Sequence, residues 1–353
     1  MNVAMLAPPW IAVPPPGYGG VESVVSVLAD ALVERGNEVT LFCAPGSSSR
    51  ANVVPLLPES HPDEIERALY EADHVARAFD EIELAVPDFD VVHDHCGFTA
   101  LAMADRLATP FVHTLHGQFT AATAAFYARH GHKAAIVPIS RAQLASAPAG
   151  LATTDAIPNP VDVEAWPLRE QKDDYLLWVG RITPEKGPHR AIAAARAAGV
   201  PLVLAGVVQP GRRPFFEREI APHLDGERVR FAGEVGGAAK RALFAGARAL
   251  LMPIRWREPF GMVMVEALSC GTPVIAFPEG AAAELVVDGT TGFLVDDEAA
   301  MAAAVGRLPE IAPRDCRAWV ARHCDVDVVA AAYERTYRSA METDLAGSAV
   351  ALV

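Results

Sequence analysis

Two glutamates, Glu258 and Glu266, stand eight positions apart in the segment Arg257-Glu258-Pro259-Phe260-Gly261-Met262-Val263-Met264-Val265-Glu266-Ala267-Leu268-Ser269-Cys270-Gly271-Thr272-Pro273. Pro259 fixes a turn, Gly261 opens a helix whose first amides are bare, and Gly271 closes it. Glu258 then lies on the entry loop. Glu266 lies more than one turn inside the helix among apolar neighbours, where a carboxylate needs hydrogen-bond donors. Ligand hydroxyls would supply them, and so would a basic partner in a core salt bridge. A second segment, Trp178-Val179-Gly180-Arg181-Ile182-Thr183-Pro184-Glu185-Lys186-Gly187, ends a strand at Arg181 and delivers Lys186 just before a helix. A guanidinium fork and an ammonium so placed suit a diphosphate, although a solvated basic turn uses the same residues. Only four lysines occur in the chain, which argues against Lys186 as surface filler. The third segment is Pro14-Pro15-Pro16-Gly17-Tyr18-Gly19-Gly20-Val21-Glu22. Gly19 and Gly20 would let the backbone and a helix N-terminus approach an anion, or would simply make a tight turn. The spacing does not spell G-x-G-x-x-G, so a dinucleotide fingerprint is not met.

Histidines form a rival constellation. Eight of the eleven precede residue 133, among them His93-Asp94-His95 and the pair His113 and His116. His93 and His95, two apart on a strand, face the same side, and with Asp94 and His116 they make a conceivable metal cluster. No H-E-x-x-H helix and no ligating cysteine cluster accompanies them, so no metal is expected. They read instead as strand-end histidines lining a polar cleft.

Short, non-alternating apolar runs and amphipathic helical stretches alternate along the chain and position these groups. Val3–Ala7, Val39–Cys43, Asp90–His93, Pro110–Leu115 and Ala135–Ile139 read as strands of a first parallel sheet. After the Pro-marked stretch Ile157-Pro158-Asn159-Pro160-Val161-Asp162 the pattern restarts with Tyr175–Val179, Pro201–Ala205, Val229–Ala232, Ala249–Met252 and Pro273–Phe277. The architecture expected is α/β, with two Rossmann-like parallel-sheet domains in tandem facing across a cleft, ligands lying outside the carboxyl ends of their strands. The expected division is 1–165 and 166–324, then a helix over 325–341 that crosses back to the first domain, then a mobile tail over 342–353.

With 353 residues, 51% of them hydrophobic and 21% charged, the chain can bury two cores. Its net charge of −14 is concentrated in residues 1–165, which hold 8 Lys and Arg against 20 Asp and Glu. That balance argues against a nucleic-acid partner, which would need a basic face. Five cysteines, odd in number and widely spaced, suggest neither a disulfide framework nor a zinc knuckle and fit a reducing, cytoplasmic setting. Met1–Ala7 lacks a basic n-region and reads as a strand, not a signal peptide. No apolar run approaches the roughly 20 residues that span a bilayer.

Taken together, the Glu258-x7-Glu266 element, Gly180-Arg181 with Glu185-Lys186-Gly187, the Pro158–Asp162 linker and the Gly19-Gly20 loop resemble the retaining glycosyltransferases of family 4, which have a GT-B fold. The resemblance covers nearly the whole chain in the family's order. It implies transfer of a sugar from a UDP- or GDP-sugar to an acceptor hydroxyl, with no metal and no other cofactor. It also implies roles: Gly180, Arg181 and Lys186 at the diphosphate, Glu258 at the donor-sugar hydroxyls, and Glu266 at the ribose. Phe260, Gly261, Met262 and Val263 would offer backbone amides, Gly19 and Gly20 would approach the phosphate, and His116 would face the donor sugar near its anomeric carbon. His116, Arg181, Lys186 and Glu258 form the expected catalytic set, and Tyr18, His95 and His113 would lie on the acceptor side. Two departures stand out. Phe277-Pro278-Glu279-Gly280-Ala281-Ala282-Ala283-Glu284 occupies the place of a Gly-Gly-x-x-Glu turn with one glycine replaced. The stretch 58–83 is acidic, which favours a soluble acceptor over a membrane surface. The resemblance leaves two alternatives in view, a sugar-nucleotide epimerase or hydrolase on the same architecture, and a non-catalytic sugar-nucleotide-binding protein. Base, sugar, acceptor and oligomeric state are not encoded legibly.

Overall fold

The computed structural model describes residues 1–350 except Tyr18, Glu66 and Arg67. Tyr18, expected on the acceptor side, therefore lies outside the described residues. The chain forms two compact units, Met1–Pro160 with the helix from Val326 onward, and Val161–Asp325.

The N-terminal unit holds β1 (Asn2–Leu6), α1 (Gly20–Glu34), β2 (Glu38–Cys43), β3 (Asn52–Pro55), α2 (Ala68–Glu83), β4 (Val91–Asp94), α3 (Phe98–Met103), β5 (Phe111–Leu115), α4 (Ala121–His130) and β6 (Ala135–Pro138). Its strands make one parallel six-stranded sheet in the order β3-β2-β1-β4-β5-β6. Both faces are covered, which is why the strands are apolar throughout rather than alternating. Val3, Met5 and Ala7 pack with Val25, Leu28 and Leu32 of α1 on one face. Ala4 and Leu6 pack with Val75, Ala78 and Phe79 of α2 on the other. The period of two along β1 thus divides one strand between two cores.

The C-terminal unit holds β7 (Leu176–Val179), α5 (Pro188–Ala198), β8 (Leu202–Ala205), α6 (Arg213–Glu219), β9 (Val229–Phe231), α7 (Gly237–Gly246), β10 (Ala249–Met252), α8 (Met262–Ser269), β11 (Val274–Ala276), α9 (Ala282–Leu285), β12 (Gly292–Leu294), α10 (Glu298–Val305) and α11 (Pro313–His323). Its sheet is again parallel, in the order β12-β11-β10-β7-β8-β9. Two parallel sheets, each flanked by helices, make the Rossmann-like pair expected from the alternating pattern. The half-buried Lys172 ammonium donates to Ala245 O and Cys270 O, at 3.0 Å each, and to Thr272 Oγ1 at 2.8 Å, so it caps the carboxyl ends of α7 and α8.

The last helix, α12, runs from Val326 to Val350 without a break. The expected boundary at Met341 is therefore corrected: helix replaces the tail expected from Glu342, and residues 351–353 lie outside the described residues. The segment after Met341 contains Glu342, Leu345, Ala346 and Ala349 and no proline, and its one glycine, Gly347, weakens a helix without stopping it. Val329, Ala330, Tyr333 and Tyr337 of α12 join the core that contains α1. Glu334 accepts from Arg35 at 3.0 Å and from Asn37 Nδ2 at 2.9 Å, and the Arg35 guanidinium holds its carboxyl below the usual range.

Candidate functional site

In the C-terminal unit the loops after β7 and β10 are fastened to each other. Arg255 N donates to Glu185 O at 2.8 Å, and Arg190 Nη1 donates to Pro184 O at 3.2 Å and Pro253 O at 3.3 Å. Gly187 has φ +73°, and a Cβ there would come 2.3 Å from Pro253 O. Only glycine permits that approach.

The fastening brings Lys186 and Glu258 together. Lys186 Nζ donates to Glu258 Oε2 and lies 4.9 Å from the centroid of the Trp256 ring. Trp256 Nε1 donates to the same carboxylate oxygen at 2.6 Å. The two charged side chains are 16% and 12% exposed. At that burial each needs the other, since an unpaired charge would carry most of its desolvation cost. From behind, Ala281 N donates to Glu258 O at 2.9 Å, and Gly280, with φ +58°, passes so close that a Cβ would lie 2.3 Å from the same oxygen. The departing turn thus keeps the one glycine whose missing side chain seats Glu258.

Immediately beyond, Gly261 (φ +95°) precedes α8 with no side-chain cap. Met264 N bonds to Gly261 O at 2.9 Å, and the first amides of α8, those of Met262 and Val263, are of the kind a helix cannot satisfy internally. Phe260 is buried at 3% exposure and anchors the turn. Deeper in α8, Glu266 Oε1 accepts from Lys240 Nζ of α7 at 2.6 Å, while Glu266 Oε2 is buried with no hydrogen-bond partner among the described residues. Arg181 is half-buried, and its Nε likewise has no partner there. Gly180 is pinned by Gly206, whose φ is +150° and whose Cβ would fall 1.8 Å from Gly180 O.

In the N-terminal unit the strand-end histidines are shared out among hydrogen bonds. His93 Nε2 bonds Thr114 Oγ1 at 2.8 Å and His93 Nδ1 bonds Tyr337 OH at 2.7 Å, while Thr114 Oγ1 also meets Tyr333 OH at 2.9 Å. His113 Nδ1 bonds Asp94 Oδ2 at 2.6 Å and its Nε2 bonds Tyr127 OH at 2.8 Å. His95 Nδ1 bonds His116 Nε2 at 2.8 Å. His113 is 1% exposed with both nitrogens occupied, so direct contact with an acceptor is not available to it in this arrangement. Burial pushes His93 and His95 well below the usual imidazole range and His116 down to about 3, with the neighbouring His113 adding to the effect on each. Among the described residues no group of three or more His, Cys, Asp or Glu is arranged to hold a metal ion.

Gly19 and Gly20 open α1, with Ser23 Oγ donating to Gly19 O at 2.6 Å. Nothing in the local sequence marks Trp256, Lys240, Gly206, Tyr333 or Tyr337 as part of a site. Trp256 is two residues from Glu258 and Lys240 is one of only four lysines, weak signals at best. The tyrosines lie more than 200 residues from their partners, a pairing that no local pattern encodes. No helix among the described residues is long and apolar enough to cross a membrane.

Residues 18–165 match the model of glycosyltransferase family 4 and residues 163–312 that of glycosyl transferases group 1. A phosphatidyl-myo-inositol mannosyltransferase of Mycolicibacterium smegmatis is 30% identical over 341 residues, which cover 86% of this chain and 84% of that protein. Glycogen synthase of Mycobacterium tuberculosis is 33% identical over 183 residues, 48% of this chain, and the match spans only 44% of that relative's length. The crystal structure of AviGT4, a glycosyltransferase involved in avilamycin A biosynthesis, superposes with a TM-score of 0.72 at 28% identity, covering 97% of this chain and 98% of that one. With both halves matched in order and the mannosyltransferase aligned over most of its length, the chain belongs to the family 4 glycosyltransferases (glycosyl transferases group 1) and has their GT-B fold.

Proposed function

We propose that this protein transfers a sugar, with retention and without a metal ion, from a UDP- or GDP-sugar to an acceptor hydroxyl. The observation that carries the reading is the Lys186–Glu258 pair beside the uncapped first turn of α8. A donor entering there would split the pair, giving the ammonium a diphosphate oxygen and the carboxylate sugar hydroxyls, while Trp256 keeps Glu258 in place. Arg181 and the amides of Met262 and Val263 would share the phosphate charge, and Glu266 Oε2 would accept from a ribose hydroxyl. In the N-terminal unit, Gly19, Gly20 and His116 are assigned to substrate contact, with His95 and His113 behind them.

Retention is assigned to front-face attack. The bond from the anomeric carbon to the phosphate oxygen breaks, the acceptor oxygen bonds to the same face, and its proton passes to a departing phosphate oxygen. The enzyme's task is then to stabilise charge on the leaving group, an electrostatic one. Thermal-shift and ligand-observed NMR with UDP-, GDP- and ADP-sugars in EDTA, followed by NMR of the anomeric product, test the assignment. Stabilisation by UDP- or GDP-sugars and a product of unchanged anomeric configuration are expected. Donor cleavage independent of any acceptor would favour a hydrolase or epimerase, binding without turnover a non-catalytic sugar-nucleotide-binding protein, and an inverted product would overturn retention.

A further inference from the structure

Between His95 Nδ1 and His116 Nε2, 2.8 Å apart, there is room for one hydrogen. Both rings are neutral over the ordinary pH range, because burial opposes their protonation, so one nitrogen donates and the other accepts. Which of the two donates is decided at the far edge of the His95 ring. His95 is 3% exposed and its Nε2 is buried with no partner among the described residues. His93, whose ring centroid lies 4.1 Å away, has both nitrogens engaged, by Thr114 and Tyr337. If His116 donated, the hydrogen of His95 would sit on Nε2 as an orphaned, buried N–H. If His95 donates from Nδ1, only a bare lone pair is left there. Orphaned buried N–H groups are the rarer and costlier outcome.

We infer that His95 fixes the ring tautomer of His116, so that His116 offers its Nδ1–H as a hydrogen-bond donor to a substrate oxygen. His95 is a positioning residue in this scheme. The consequence for His116 is definite: its only basic nitrogen is taken up by His95, so it polarises or holds an oxygen and does not remove a proton. This inference rests on the reading of His116 as a substrate-contacting residue.

The test is a long-range 1H–15N correlation spectrum of the unliganded, full-length protein labelled in histidine nitrogen, with His116 assigned by its disappearance in His116→Gln. A pyrrole-type Nδ1 and a pyridine-type Nε2 are expected for His116. In His95→Leu the hydrogen should move to Nε2, the position an unconstrained side chain favours. In His95→Asn, whose amide can donate, it should stay on Nδ1. Donor kcat/KM should fall about tenfold in His95→Leu and recover to within about threefold in His95→Asn. A hydrogen on His116 Nε2 in the wild type, or a tautomer indifferent to His95→Leu, overturns the inference. The wild-type spectrum decides even if a variant does not fold. Because it is recorded without substrate, it stands apart from whether sugar transfer is found.

Discussion

The N-terminal sheet ends its strands in imidazole rings hydrogen-bonded to one another and to neighbouring side chains. The C-terminal sheet ends its strands in opposite charges held 12–16% exposed at Lys186 and Glu258. The first kind of site fixes direction: most ring nitrogens of His93, His95, His113 and His116 are engaged by Thr114, Tyr127, Tyr337, Asp94 and one another. The second kind stores charge that a ligand of either sign can claim. Geometry is therefore the asset of one unit and electrostatics of the other, and the two should fail differently when they are altered.

The largest effect is expected where charge is removed. Lys186→Ala and Arg181→Ala should each lower kcat by about 10²–10³, with saturating donor and an unchanged circular dichroism spectrum. Near-wild-type turnover in both would cancel the contrast between the units, because the C-terminal charges would then be structural. The next largest effect concerns the backbone that carries Arg181. Gly206→Ala drives a Cβ into Gly180 O, 1.8 Å away, at a φ of +150°. It should cost about 3 kcal/mol in chemical denaturation or prevent folding. A loss under about 1 kcal/mol would mean that the β7 and β8 ends are free to move apart.

How much of this was legible in the sequence follows the range of the interactions. Strands such as Val3–Leu6 and Ala249–Met252 declare themselves as apolar runs, and Gly261 and Gly271 bracket α8 because backbone needs are local. Glu258, Lys186 and Arg181 were legible as types at strand ends. That Lys186 and Glu258 face each other was not, since 72 residues separate them. The apolar neighbours of Glu266 show that it needs donors, but Lys240 as their source depends on α7 lying beside α8. The short edge strands β3 and β12 escaped because four and three residues carry too little periodicity. The histidines show the limit from the other direction. Their proximity suggested a metal cluster or an open polar lining, and only the tyrosines of α4 and α12 reveal that most of their nitrogens are already spent.

Acidification should separate the units further. His74 of α2 is fully buried, its Nε2 bonded to Ala7 O at 3.1 Å, and burial lowers its pKa from 6.5 to about 4. The folded state then stays neutral while the unfolded chain takes up a proton, so stability is complete above about pH 6.5 and falls toward pH 4. For one such group the slope is about 1.4 kcal/mol per pH unit, and His93, His95 and His116 act in the same direction. His74→Gln, whose amide can still donate to Ala7 O, should flatten the urea-midpoint profile between pH 6 and pH 4.5 by about that amount. In the C-terminal unit burial lowers Lys172 to about 8. Its sign is the same but its window is alkaline, since above pH 8 the folded state sheds a proton that the unfolded chain keeps up to about 10.5. An acid profile unchanged by His74→Gln would remove this distinction.

The smallest expected effect distinguishes two adjacent glycines. A Cβ on Gly19 would lie 2.6 Å from Pro15 Cβ and 3.0 Å from Glu22 Oε2, whereas one on Gly20 would meet nothing within 4 Å. Gly20 is the first residue of α1 and has ordinary helical room, so alanine there restricts the unfolded chain at no steric cost. Gly20→Ala should raise stability by about 0.5 kcal/mol, while Gly19→Ala should lower it. If Gly20 is bare because a substrate phosphate must reach the amides of α1, the stabilised variant will bind donor more weakly, and its KM will rise while its melting temperature does. A Gly20→Ala enzyme that is both more stable and fully active would show that the opening of α1 is only a turn, leaving anion recognition to the charged unit alone.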